Sequence, residues 1–315
     1  MTRIVDVANH AGVSTATVSR VLNGTKVRAD LAEAVRKSVA ELGYSANRNA
    51  RSLRRQYSEV IALIIPDVEN PFFTSVARGV EDVARAAGLS LVLCNTDDDE
   101  GKESSYLSVA ESENMAGVIL APAGPSPDVE RLARRLRAVV VIDRKVPGDV
   151  DQVLFSNRDF GVRATKQLLE GGSRHVACIT GPATTPTAVE RADGWRETLT
   201  EAGLEPGPLV HANFRVDGGY AAMRELLAAK TPPDAVLATN NLVGVGVLRA
   251  LSTWAGPSVA VGIIGDLPFA THEVDDVALV PLSPREMGVR AARLLVDRIS
   301  GTAEEPATYY LDHSP

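Results

Sequence analysis

From Glu59 onward, strand-length apolar runs recur between amphipathic helical stretches, and this alternation restricts the fold more than any other feature. The runs read "EVIALII", "LSLVLC", "GVILA", "AVVVID", "HVACIT", "DAVLAT" and "VAVGII". They are nearly continuous in apolar residues, as strands are when helices cover a sheet on both faces. Residues 72–87 and 284–299 are two of the intervening helices, the second with Ser283 as its expected N-cap and Pro284 at its first position. This pattern predicts parallel α/β architecture, whose ligands bind beyond the carboxyl ends of the strands.

No run approaches the length of a membrane span, and no apolar leader follows Met1, so a cytoplasmic protein is expected. Cys94 and Cys178 lie in the apolar runs "LVLC" and "VACI" without metal-ligand spacing. Both are read as buried thiols, and no metal or other cofactor is expected.

Ahead of this body, residues 1–57 have a different character. They hold ten Lys and Arg against four Asp and Glu, whereas the rest of the chain holds 23 against 36. A basic unit joined to an acidic body points to a polyanion met by one end only. Three short helical patterns fill this unit. Ile4, Val7, Ala8 and Ala11 share one face before Gly12 breaks the first helix. Ser14 is the expected cap of a second helix, whose inner stripe is Val18, Val21 and Leu22 and whose end is Asn23-Gly24. A third helix starts at Ala29, carries Leu31, Val35, Val39 and Leu42, and stops at Gly43. Two helices joined by a tight Gly-containing turn, with a third for support, form a helix-turn-helix. Small polar residues at the start of the second helix suit entry into the major groove, where base edges approach closely.

The stretch "IVDVANHAGVSTATVSRVLNG" resembles the headpiece of the LacI/GalR family of bacterial transcription regulators, and "ELGYSANRNARSLRR" resembles that family's hinge. The resemblance implies a headpiece over residues 1–45, a hinge helix over 46–58 and an effector-binding and dimerisation body over 59–315. It implies that Thr15 and Ala16 read bases, with Arg20 as a further base or phosphate contact, while Ser14, Thr17, Ser19 and Asn23 hold phosphates or cap the helix. In the hinge, Asn47 and Arg51 would contact DNA, and Leu53 matches a leucine that wedges into the minor groove. Two positions depart from the family: Arg28 stands where a Ser usually caps the third helix, and Ala46 stands where a Pro is usual. Arg28 becomes a candidate phosphate contact.

The body resembles the same family's effector domain, itself similar to periplasmic sugar-binding proteins. That implies two doubly wound parallel-sheet lobes closing on a small molecule. The chain would pass between lobes near Ser156, Ser283 and Thr302. One lobe would then comprise residues 59–156 with 283–302, the other 157–282 with 303–315. Loops after strands offer Phe72, Phe73, Asp143, Thr187, Arg191, Phe214, Asn240 and Asp266 as effector contacts. By the resemblance, Arg191, Asn240 and Asp266 match ligand-contacting positions, and the three phenylalanines match stacking positions. Carboxylate, amide and guanidinium groups satisfy hydroxyls while aromatic faces cover a ring, so a sugar or sugar derivative is expected, with a nucleoside left open. Ser156, Asn241 and Leu267 replace frequent aspartates, which argues against a strongly cationic effector.

The implied function is a ligand-controlled repressor that binds a pseudo-palindromic operator as a homodimer and carries no catalytic residue. Two other classes compete. An NAD-linked α/β enzyme needs a glycine fingerprint; the nearest, "GVGVLR" from Gly244 to Arg249, lacks the third glycine and falls inside a predicted helix over 241–251. A solute-binding receptor would account for the body but has no use for a helix-turn-helix.

Overall fold

Three helices build the first unit: α1 (Ile4–Ala11), α2 (Thr15–Leu22) and α3 (Ala29–Glu41). They belong to a computed structural model that describes residues 2–22, 25–44, 58–124, 129, 132, 134, 136, 138–267 and 277–311. Residues 1–58 and 59–315 form two compact units. In the first, Val7, Ala8, Val18 and Val35 are buried, with Ile4, Val21, Leu22 and Val39 packed against them, so the three expected stripes share one small core. Gly12, at φ 65°, ends α1 in the left-handed region that a Cβ disfavours. Arg28 occupies the N-cap position of α3 without capping it, because its guanidinium turns to the Asp30 carboxylate in the first turn.

The second unit alternates strands and helices throughout. Its strands are β1 (Val60–Ile65), β2 (Ser90–Asn95), β3 (Gly117–Leu120), β4 (Val139–Ile142), β5 (Asp151–Phe155), β6 (Val176–Thr180), β7 (Leu209–His211), β8 (Ala235–Ala238), β9 (Ala260–Ile264), β10 (Val277–Val280) and β11 (Thr308–Leu311). The helices between them are α4 (Pro71–Ala86), α5 (Glu100–Ser112), α6 (Asn157–Glu170), α7 (Pro186–Glu201), α8 (Val216–Leu227), α9 (Asn241–Leu251) and α10 (Pro284–Ser300). One sheet runs β11-β5-β4-β3-β1-β2 and the other β10-β9-β8-β6-β7, and every pairing is parallel. The two sheets therefore repeat one winding. In each, strand order reverses beside the lobe's first strand, between β1 and β3 and between β6 and β8. That reversal leaves a crevice at the carboxyl ends of those strands.

All seven apolar runs form strands. Strands β5, β7, β10 and β11 were not anticipated; they are short, three of them are edge strands, and β5 carries the polar pair Asp151 and Gln152. Helices α4 and α10 meet almost backbone to backbone, since a Cβ on Gly79 would strike the Arg285 carbonyl and one on Gly288 the Val76 carbonyl. Ser283 stands at the N-cap of α10, but its hydroxyl makes no capping bond.

The expected lobe boundaries need a correction at the C-terminal end. The chain leaves the first sheet after β5 and returns to it with α10, which packs on α4. It then stays there. Strand β11 pairs with β5 in the register Thr308↔Gln152 to Leu311↔Phe155, so residues 303–311 belong to the first lobe instead of the second. The cause is local: the buried Asp151 carboxylate accepts the Ala307 N–H at 3.1 Å and the Arg298 guanidinium at 2.6 Å, which fixes the turn before β11. A second correction concerns Cys94. It is half-buried, because β2 is an edge strand with Val92 and Leu93 exposed, whereas Cys178 is buried as expected.

Candidate functional site

In the N-terminal unit, the start of α2 is built by one residue. The Ser14 hydroxyl accepts the Thr17 N–H at 3.1 Å and lies 3.0 Å from the Thr17 hydroxyl, so an orphan donor of the first turn is satisfied. With Val18 buried, Thr15, Ala16 and Arg20 are left exposed, and Thr17 and Ser19 are half-buried. The expected base-reading residues thus share the outer face of a short helix held by its other face. Asn23, Asn47, Arg51 and Leu53 lie outside the described residues.

In the second unit, one cavity is lined by loops at the carboxyl ends of both sheets, and it brings together all eight expected effector contacts. From the first lobe come Phe72, Phe73 and Asp143; from the second come Thr187, Arg191, Phe214, Asn240 and Asp266. Asn70 caps α4 by accepting the Phe72 N–H at 3.0 Å, and Pro71 starts the helix, so Phe72 and Phe73 leave its first turn. Their rings meet edge to face with centroids 4.9 Å apart, and Phe72 also lies 6.2 Å from Phe155.

The opposite wall is set just as locally. Asn240 caps α9 by accepting the Val243 N–H at 2.8 Å, and its amide donates to the Phe214 carbonyl at 3.0 Å. That bond anchors Phe214 in a left-handed backbone, φ 57°, with its ring over the bare Cα of Gly181. Arg191 reaches in from α7. Its Nε donates to Asn157 Oδ1 at 2.9 Å and one terminal nitrogen donates to the Thr239 carbonyl at 2.7 Å, leaving the residue only 5% exposed.

Two buried charges from opposite lobes, Asp143 and Arg191, influence each other here. Burial pushes the Asp143 carboxyl above its ordinary range, against the pull of Arg144 and Arg191. Burial likewise pulls the Arg191 guanidinium down, against the Asp143 carboxylate. Arg144, 7% exposed, donates to Asp98 at 2.6 Å and to the Pro122 carbonyl at 2.8 Å, while its Nε has no hydrogen-bond partner. Asp98, Asn213 and Arg215 also line the cavity and were not singled out from sequence. Asp98 was hidden in the acidic run "TDDDE", where nothing in composition distinguishes one aspartate from the next. Its bond from the buried Arg144 guanidinium is the structural signal.

Such a cavity can satisfy many hydroxyls and stack a ring, and comparison with known proteins bears on what it serves. Residues 58–308 match the family described as "Periplasmic binding proteins and sugar binding domain of LacI family", and residues 3–47 match "Bacterial regulatory proteins, lacI family". The chain belongs to the LacI family. The "Ribose operon repressor" of Halalkalibacterium halodurans is 36% identical to this LacI-family chain over 306 residues, 95% of this chain and 91% of that protein. The solved "transcriptional regulator CelR-cellobiose complex" is 31% identical, with a TM-score of 0.73 over 99% of this chain and 97% of that one. The lac repressor dimer bound to operator and the anti-inducer ONPF shares the fold, with a TM-score of 0.87, 22% identity and coverage of 98% and 96%.

This LacI-family protein is therefore a DNA-binding transcription regulator with a periplasmic-binding-protein-like effector domain. The glycines of "GVGVLR" fit that assignment. Gly246 lies inside α9 where a Cβ would strike the backbone of α8, and Gly244 lies against Ile263, so both serve helix packing. Among the described residues, no helix is long and apolar enough to cross a membrane, and no group of three His, Cys, Asp or Glu is placed to hold a metal.

Proposed function

We propose that this LacI-family regulator is a repressor whose two copies read the half-sites of a pseudo-palindromic operator, under control of a small sugar bound between the lobes. The observation that carries the reading is the convergence of Phe72, Phe73, Asp143, Thr187, Arg191, Phe214, Asn240 and Asp266 on one cavity. Carboxylates and amides there would accept and donate to ring hydroxyls, the Arg191 guanidinium would fix one of them, and the phenylalanine faces would cover C–H surface. A ribose operon repressor and a cellobiose-bound regulator among the relatives support a sugar.

Thr15, Ala16 and Arg20 are the base-reading set, with Ser14, Thr17, Ser19, Asn23, Asn47 and Arg51 holding phosphates and Leu53 wedging into the minor groove. Symmetric dimers read symmetric sites, so a single short recognition helix per chain calls for two chains on one operator. The effector shifts the lobes between two arrangements that differ in operator affinity, and it does so only through its unequal affinity for them. A thermal-shift screen of sugars, nucleosides and phosphorylated sugars tests the reading. A pentose or hexose should raise the melting temperature of the wild type but not of Arg191→Ala. Stabilisation of both proteins to the same extent would place the ligand elsewhere.

A further inference from the structure

Arg215 spans the mouth of the cleft. Its guanidinium lies 3.5 Å from Asp67 and 3.9 Å from Glu69, both on the turn that follows β1 in the other lobe. Local bonds hold each side. The second Asp67 oxygen accepts the Glu69 N–H at 2.9 Å, and the Asp67 carbonyl accepts the Asn70 N–H at 3.4 Å. Asn70 in turn caps the helix that carries Phe72 and Phe73. Across the cleft, Arg215 occupies the N-cap position of α8, and its N–H donates to Asn213 Oδ1 at 3.1 Å. Its neighbour in the chain is Phe214. The ion pairs therefore tie the segment that carries one aromatic wall to the segment that carries the other.

We infer that Arg215 is a positioning residue for effector binding: paired with Asp67 and Glu69, it holds the lobes closed so that both aromatic walls meet the ligand together. The inference rests on the reading of this cavity as the effector site. Its physical character follows from exposure. The Arg215 side chain is 43% exposed and that of Glu69 80%, so water and salt screen the link and it is easily broken. A strong brace would lock ligand out or in, whereas a weak one biases closure and still allows exchange. Exposed pairs of this kind change an equilibrium by about two- to fivefold. Removing Arg215 also leaves Asp67 and Glu69 facing the cleft mouth without this partner.

The test uses the full-length protein with Cys94→Ser and spin labels at Ser108→Cys in α5 and Thr200→Cys in α7, one on each lobe. Inter-lobe distances are measured by pulsed electron resonance for the wild-type background, Arg215→Met, Arg215→Lys and Glu69→Gln. In low salt, Arg215→Met should change the distance distribution, Arg215→Lys should keep it and Glu69→Gln should fall between. In roughly 0.5 M KCl, the wild type should resemble Arg215→Met. Calorimetric titration with D-ribose in low salt should show affinity about two- to fivefold weaker in Arg215→Met and restored in Arg215→Lys. Identical distributions for the wild type and Arg215→Met in low salt would overturn the inference. Failure of D-ribose to bind any variant counts against the sugar reading instead, and the distance measurement still decides the role of Arg215.

Discussion

Gly181 is a residue whose contribution is an absence. The Phe214 ring occupies the space a side chain would take, so Gly181 admits one wall of the cleft. Ser14 works by presence: one hydroxyl satisfies the first turn of the candidate recognition helix. Ser14→Ala should lower the stability of the headpiece by about 1 kcal/mol, read as a lower melting temperature of the N-terminal transition in calorimetry. Asp143 contributes a pH dependence of its own. Its carboxyl is raised in the folded chain, so folding is favoured while it stays protonated and loses that advantage as pH rises from the unfolded value of about 3.9 through the folded one. Asp143→Asn should therefore stabilise the ligand-free protein at neutral pH, with the gain shrinking towards pH 4. A gain that stayed constant over that range would show that burial of charge is not the cause. At this scale seven of the eight cleft residues were legible because each follows a strand or opens a helix, whereas Arg191, inside α7, was legible through the family resemblance. Asp98 and Arg215 were not singled out, because their partners are distant in sequence: Arg144 for Asp98, Asp67 and Glu69 for Arg215.

At the scale of elements, the long β-branched runs announced themselves, since strands buried on both faces must be continuously apolar. The four strands that escaped notice show what that rule omits. Strand β11 has Thr308 and Tyr310 exposed and is recruited by contacts with Asp151 and by the Arg290 guanidinium, 4.4 Å from the centre of the Tyr309 ring. None of those contacts is visible as a pattern. Its place in the first lobe, not the second, follows from the same side chains. Helix contacts carry the next prediction. Gly288→Ala would press a methyl group onto the Val76 carbonyl, forcing α10 away from α4. A loss of about 1–3 kcal/mol in denaturant unfolding of the body is expected. A neutral effect would mean that the two helices separate without cost.

For the whole molecule, the basic N-terminal residues and the acidic body anticipated a division of labour: one unit meets DNA and the other meets a small molecule. The sign of charge distinguished the units, and the repeat of one winding in two sheets explains why the second has a cleft at all. The proposed hinge role of Leu53 belongs to this scale, because the proposal has it act when two chains share an operator. Leu53→Ala should weaken binding to the specific operator more than to random duplex, as measured by competition in filter binding; equal losses would remove the wedge role. Ligand control of DNA binding joins the two units, and an operator titration reads it out. A labelled duplex, selected by the protein from a random pool, is titrated by fluorescence anisotropy with and without the sugar that emerges from the thermal-shift screen. The sugar should shift the wild-type midpoint by about fivefold or more, while Arg191→Ala binds the same duplex with unchanged affinity and shows no shift. A shift that survives in Arg191→Ala at the same sugar concentration, or no shift in the wild type, would contradict the account.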